Sequence, residues 1–211
     1  MEDVLDVYRR PVDPRFPVIC FDESGKELAQ ELYPAKPARP GRARRVDDEV
    51  VRKGSASLLL AVAPFTGWRN VTVTKRRTYK EWAHAMRDLI DMHFPEATRI
   101  VVVLDNLNIH VKSALYHIFA PEEAFRIAQK LELHYTPVHG SWLNIAEDEF
   151  SVLHRQCLQG VRYPTVAALT ASVQDWVAAR NDARITIDWR FTPEAARTTM
   201  EKSYPNVTNT K

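Results

Sequence analysis

The chain is short of cysteine and glycine, lacks any long apolar run, and carries almost no net charge. Its 211 residues include two cysteines, Cys20 and Cys157. These are too few for a disulfide framework or a four-thiolate zinc site, and they fit a reducing cytoplasm. The six glycines (Gly25, Gly41, Gly54, Gly67, Gly140 and Gly160) are scattered, and no two lie close enough to cradle a phosphate. That excludes Walker-type NTPases and dinucleotide-binding domains. The longest apolar run, Leu58 to Phe65, is interrupted by Pro64 and falls far short of a bilayer span. Residues 1–15 carry Glu2, Asp3, Asp6, Arg9 and Arg10 without an apolar core, so they do not read as a signal peptide.

What is present is ordinary globular composition, with 45% hydrophobic and 27% charged residues over a length that suits one compact α/β domain. The net charge of +2 conceals an asymmetry. Between Lys36 and Lys80, twelve bases face only Asp47, Asp48 and Glu49, giving +9 and leaving −7 for the other 166 residues. Such a distribution points to a basic surface for a polyanion on one side of the fold. Within it, Tyr33 to Arg42 interleaves prolines with bases, which forbids a helix and predicts an extended arm between two strands.

Phe16 to Asp22 reads as a strand buried on both faces, Ser55 to Pro64 and Trp68 to Lys75 as two more, and Arg99 to Asp105 as the most strongly β-branched of all. Thr78-Tyr79-Lys80-Glu81 is a capping box opening a helix whose inner face is Trp82, Met86, Leu89, Ile90 and His93. Lys112–Phe119 and Glu122–Lys130 are short helices, Leu131–Thr136 a fifth strand, and 144–158 and 165–181 further helices. Three consecutive strands form an antiparallel meander, and two later strands reached by helical crossovers extend it in parallel. The fold class expected is α/β, a ribonuclease H-like five-stranded mixed sheet flanked by helices.

Asp22 ends the first strand in this reading and Asp105 ends the fourth. Their carboxylates would emerge together at the carboxyl ends of adjacent strands, where open α/β sheets bind ligands. The helix beginning near Asn144 offers a third acid from Glu147, Asp148 or Glu149. At about 100° per residue, Asp148 points away from the apolar stripe, while Glu147 and Glu149 flank it, so spacing does not choose between them. Carboxylates in such a set hold Mg²⁺ or Mn²⁺, and two ions about 4 Å apart activate one oxygen and stabilise another in phosphodiester chemistry.

The segment from Val102 to His110 (VVLDNLNIH) resembles the second-aspartate motif of DDE transposases of the mariner-like bacterial insertion-sequence branch. HYTP at 134–137 and HGSWLNIAE at 139–147 resemble the stretch leading to that family's third carboxylate, which follows an Asn by three residues and so selects Glu147. Phe21-Asp22-Glu23 matches the first-aspartate strand, and Asp188 to Thr192 the segment before a C-terminal helix. The resemblance implies one ribonuclease H-like catalytic domain over residues 1–211, binding two Mg²⁺ or Mn²⁺ ions through Asp22, Asp105 and Glu147. It further implies hydrolysis at transposon ends and attack of the freed 3′-hydroxyl on target DNA, by a homodimer associated with the bacterial nucleoid. A basic clamp-like insertion is expected over about residues 23–54, with Lys36, Arg39, Arg42, Arg44, Arg45, Lys75, Arg76 and Arg77 as DNA contacts. No helix-turn-helix domain is expected ahead of the first strand in this reading, and the 42-residue interval from Asp105 to Glu147 predicts an enlarged loop around Pro121–Glu123.

Asn106, His110, His139 and Asn144 are candidate supporting residues. The two histidines read as solvated loop residues, while Trp142, Trp82, Trp176 and both cysteines read as packing. A catalytically silent DNA-binding or dimerisation remnant, and a simple nuclease on the same core, remain the alternative functions.

Overall fold

The computed structural model describes residues 1–33, 38–42 and 49–201. Its sheet has the order β3-β2-β1-β4-β5, built from β1 (Val18–Glu31), β2 (Val50–Ala63), β3 (Trp68–Thr74), β4 (Ile100–Leu104) and β5 (Leu131–Tyr135). The first three strands form the antiparallel meander, and β4 and β5 add in parallel, as the strand order predicted. β4 explains why the sheet needs cover on both sides. Val101 and Val103 enter one core, while Ile100, Val102 and Leu104 enter the other. Burying each of these side chains contributes roughly 1.5–3 kcal/mol, so the central strand resists exposure on either face.

One face is covered by α2 (Tyr79–Asp88, prolonged by a π-helical turn at Leu89–His93), a 3₁₀ segment at Lys112–His117, and α3 (Pro121–Lys130). The capping box is present, with Thr78 accepting from the backbone and Glu81 reaching back to the Thr78 N–H at 3.0 Å. The other face is covered by α4 (Ile145–Leu153, prolonged by a π-helical turn at His154–Leu158), α5 (Val166–Asp182), α6 (Pro193–Thr199) and α1 (Glu2–Tyr8). Helix α1 lies in the segment that the sequence showed only as charged. Val4, Leu5, Val7 and Tyr8 are buried there, two turns being too few for periodicity to stand out between the acids.

Two expectations need correction. Asp22 does not end β1, which runs nine residues further to Glu31 and stays paired with β2. Only Glu23 and Leu28 are buried in that extension, so backbone pairing rather than side-chain burial sustains it. Part of the insertion expected over residues 23–54 is therefore a strand hairpin. Its register slips between Leu28 and Ala29, where Gly54 takes φ +101° and Lys53 becomes the extra residue of a bulge. The Ala29 N–H donates instead to the Tyr163 carbonyl at 2.9 Å. Nor is there an enlarged loop at Pro121–Glu123. Pro121 opens α3 at its first helical position, where its missing N–H costs nothing.

Candidate active site

The parallel pairing of β1 with β4 runs Val18–Val101, Ile19–Val102, Cys20–Val103. Carrying that register two residues on sets Asp105 beside Asp22. Strand alternation then turns Asp22 toward the layer of α4, which Cys20 already faces, whereas Asp105 lies just past the end of β4 with its Oδ1 against His110. Asp22 is partly buried, and its Oδ1 accepts from the Glu23 N–H at 2.7 Å. Burial pushes its carboxyl up to about 6 against that hydrogen bond, and the negative charges of Asp105, Glu147 and Glu23 add to the rise. Glu147 thus stands close enough for Asp22 to feel it.

Asn144 places Glu147. It is 1% exposed, caps α4 by accepting from the Ala146 N–H at 3.2 Å, and donates from Nδ2 to the Phe21 carbonyl at 2.8 Å. The preceding loop turns on Gly140, whose N–H donates to the Pro137 carbonyl at 2.8 Å. A Cβ at that glycine would meet the Pro137 ring at 2.5 Å.

Glu149 sits elsewhere. It is 1% exposed and sandwiched between Arg69 Nε at 2.8 Å and Arg180 Nε at 2.8 Å. Arg69 itself is fully buried and donates from Nη2 to the Ile185 carbonyl at 2.6 Å, while the Asn181 amide brackets the Arg69 backbone. Glu149 therefore ties α4 to β3 and α5, and its charge is already neutralised. Arg69, counted with the basic stretch, adds nothing to the surface. The apolar residues around this network gave no hint of it, although an acid on a helix flank and an Arg inside an alternating strand are the signals that fit it.

His110 is not a solvated loop residue. Its side chain is fully buried between the rings of Phe21 and Trp82. Nδ1 lies 2.6 Å from Asp105 Oδ1, and Nε2 lies 3.2 Å from Glu23 Oε1. Burial would lower its pKa, but the Asp105 and Glu23 carboxylates outweigh that and raise it to about 9. The contact with Asp105 Oδ1 is out of line for a hydrogen bond, leaving that buried oxygen short of a partner, as is Glu23 Oε2. Glu23, which sequence reading used only as part of a motif, is a buried carboxylate facing the layer opposite Asp22.

The remaining candidates divide by exposure. Asn106 and His139 are exposed, His139 with φ 62°. Trp142 is 41% exposed and touches Phe191 edge-on at 5.5 Å, so it belongs to the rim and not to the core. Trp82 and Trp176 are buried, as expected. Arg39 and Arg42 are exposed and face each other across a Pro40–Gly41 turn, while Lys36, Arg44 and Arg45 lie outside the described residues. Lys75, Arg76 and Arg77 are exposed between β3 and α2, with Arg77 Nε 3.9 Å from Glu23 Oε2.

Among the described residues, no group of three or more His, Cys, Asp or Glu side chains converges tightly enough to enclose an ion as it stands. The donor set nevertheless fits hard divalent cations. Asp22 is held against its own ionisation first by burial and then by Asp105 and Glu147, and Asp105 Oδ1 is a buried acceptor with unmet capacity. A cation drawing these carboxylates together would relieve both.

Residues 17–170 match the family model described as DDE superfamily endonuclease. Among solved structures, the chain is similar to the Mos1 strand transfer complex at a TM-score of 0.57 and 13% identity, over 86% of this chain and 53% of that one. The pre-cleavage Mos1 transpososome gives 0.55 and 13%, over 86% and 54%. The Mos1 mariner paired end complex with Mn gives 0.51 and 13%, over 86% and 54%. The chain thus spans about half the length of the Mos1 chains it matches, and the likeness is one of fold, the ribonuclease H-like arrangement. No curated protein matches the chain.

Proposed function

The chain belongs to the DDE superfamily of endonucleases, and from that premise we propose that it is the catalytic domain of a transposase. It cleaves DNA at transposon ends and joins the freed 3′-hydroxyl to target DNA. The observation that supports this reading best is the side-by-side placement of Asp22 and Asp105 at a parallel strand pair, with Glu147 facing them from a helix anchored to the same strand.

In this mechanism Asp22, Asp105 and Glu147 would hold two divalent cations, Mg²⁺ or Mn²⁺. Bound there, such ions activate an attacking oxygen and stabilise the leaving one in an in-line phosphodiester displacement. The chain's own residues do the rest. Asn144 fixes where α4 presents Glu147. Arg39 and Arg42 on the β1–β2 arm, with Lys36, Arg44 and Arg45 of the same arm and Lys75, Arg76 and Arg77 beside α2, bind backbone phosphates and hold the duplex over the carboxylates. Two copies act together, one at each transposon end, as the paired-end assembly of the similar Mos1 chain suggests by analogy.

The test is cleavage of end-bearing DNA in Mn²⁺ by the chain and by its Asp105→Asn variant. Nicking and joining by the first and neither by the second is the expected result. Full activity in the variant would remove Asp105 from the mechanism.

A further inference from the structure

We propose that His110, braced from behind by Glu23, is a positioning residue that fixes the Asp105 carboxylate for cation binding. The inference rests on the metal reading of Asp22, Asp105 and Glu147 and goes beyond it. Asp105 follows the end of β4 and so lacks the strand pairing that constrains Asp22. Its carboxylate instead packs against the imidazole, with Oδ1 2.6 Å from Nδ1, and the same ring nitrogen engages the Asp105 backbone carbonyl at 3.4 Å.

Four features hold that imidazole in one orientation. Its ring is enclosed by Phe21 and Trp82, at centroid distances of 5.9 and 6.0 Å. Its backbone carbonyl accepts from the Tyr135 hydroxyl at 2.7 Å, and its backbone N–H donates to the Leu107 carbonyl at 2.9 Å. Its far nitrogen lies 3.2 Å from Glu23, a side chain 1% exposed that itself faces Arg77 at 3.9 Å. Glu23 thus keeps the second ring nitrogen engaged, and Nδ1 is left facing Asp105. Groups that orient a metal-binding carboxylate typically change cation affinity by about 10–100-fold when removed.

Two amide isosteres separate the two ends of the ring. His110→Asn keeps a polar group near the Nδ1 position and gives up the Glu23 contact, whereas His110→Gln reaches the Nε2 position and gives up Asp105. Mn²⁺ affinity is measured by calorimetry on the DNA-free chain, with thermal melts in EDTA for each variant. The unaltered chain is expected to bind Mn²⁺ and Asp105→Asn to lose it. His110→Gln should weaken binding about tenfold or more, and His110→Asn by no more than about threefold. The opposite order, equal affinities, or losses that simply follow the melting temperatures would overturn the proposal. If either isostere fails to melt cooperatively, Glu23→Gln decides. Weakened Mn²⁺ binding at an unchanged melting temperature upholds the brace, and unchanged binding overturns it. Absence of Mn²⁺ binding by the unaltered chain would instead sink the metal reading and this inference with it.

Discussion

The Asn144 side chain donates to the Phe21 carbonyl at 2.8 Å, fastening the start of α4 to the strand residue just before Asp22. One amide therefore sets the relation between two carboxylates that lie 125 residues apart in sequence, Asp22 and Glu147. The same side chain caps α4 through its oxygen, and the Tyr8 hydroxyl, donating to the Leu143 carbonyl at 2.7 Å, fastens the residues just before the helix to α1.

Asn144→Ala should consequently cost more than a cap alone. Loss of an N-cap is worth roughly 0.5–2 kcal/mol, and a buried carbonyl left without its donor adds roughly 1–3 kcal/mol. Urea unfolding of the variant should show a lower midpoint at unchanged slope. A midpoint equal to that of the parent would show that Phe21 finds another donor and that the anchor is dispensable.

Glu147 and Glu149 should separate cleanly on mutation. Glu149→Ala leaves Arg69 buried without its counter-charge, a loss of about 3–5 kcal/mol by analogy with broken buried pairs. Glu147→Gln alters a partly exposed side chain and should change stability by no more than about 0.5 kcal/mol, while abolishing DNA cleavage. Denaturant melts and nicking assays on the same two preparations decide the matter. A stable, inactive Glu149 variant would reverse the assignment.

How far the sequence revealed this arrangement depended on which physical signal each residue left. Hydrophobic patterning located all five strands, because Val, Ile and Leu at β1 and β4 face two cores and leave little alternative. It failed past Asp22, where β1 is held by main-chain pairing that side chains do not record. It also failed at α1, too short for a helical period. Asp105 does follow the end of its strand, whereas Asp22, read in the same way, lies inside β1. The burial of His110 was not legible, since a histidine in a polar turn looks the same whether solvated or buried, and only Glu23 and Asp105 closing on it from separate strands decide which. Trp142 misled in the opposite sense, a large aromatic that the loop keeps at the rim.

The raised Asp22 carboxyl predicts a pH-dependent stability of the metal-free chain. Its folded-state pKa is about 6, above the ordinary carboxylate value, owing first to burial and then to Asp105 and Glu147. The stability this group contributes is thus complete below the ordinary value and is lost as pH rises through about 6. Asp22→Asn never ionises, so in EDTA it should melt above the parent at pH 8, with the gap closing toward pH 4. Added Mn²⁺ should reverse the order at pH 8, because only the parent gains the cation's binding energy. A gap independent of pH would mean that folding does not raise the Asp22 carboxyl.

Arg39 and Arg42 permit a sharper test of the basic arm. They pair across the Pro40–Gly41 turn, with backbone hydrogen bonds of 3.0 and 2.8 Å. Like charges directly opposite each other on paired strands cost folding energy, so this placement does nothing for the hairpin. If the pair instead engages phosphates, replacing both by alanine should leave the melting temperature unchanged or slightly higher while weakening DNA binding. Each phosphate contact contributes about 0.9 to the slope of log affinity against log salt, so the double variant should flatten that slope by about 1–2. Unchanged salt dependence, with affinity reduced only in proportion to a drop in melting temperature, would remove the arm from the DNA interface. The bases beside α2 would then be left to carry it.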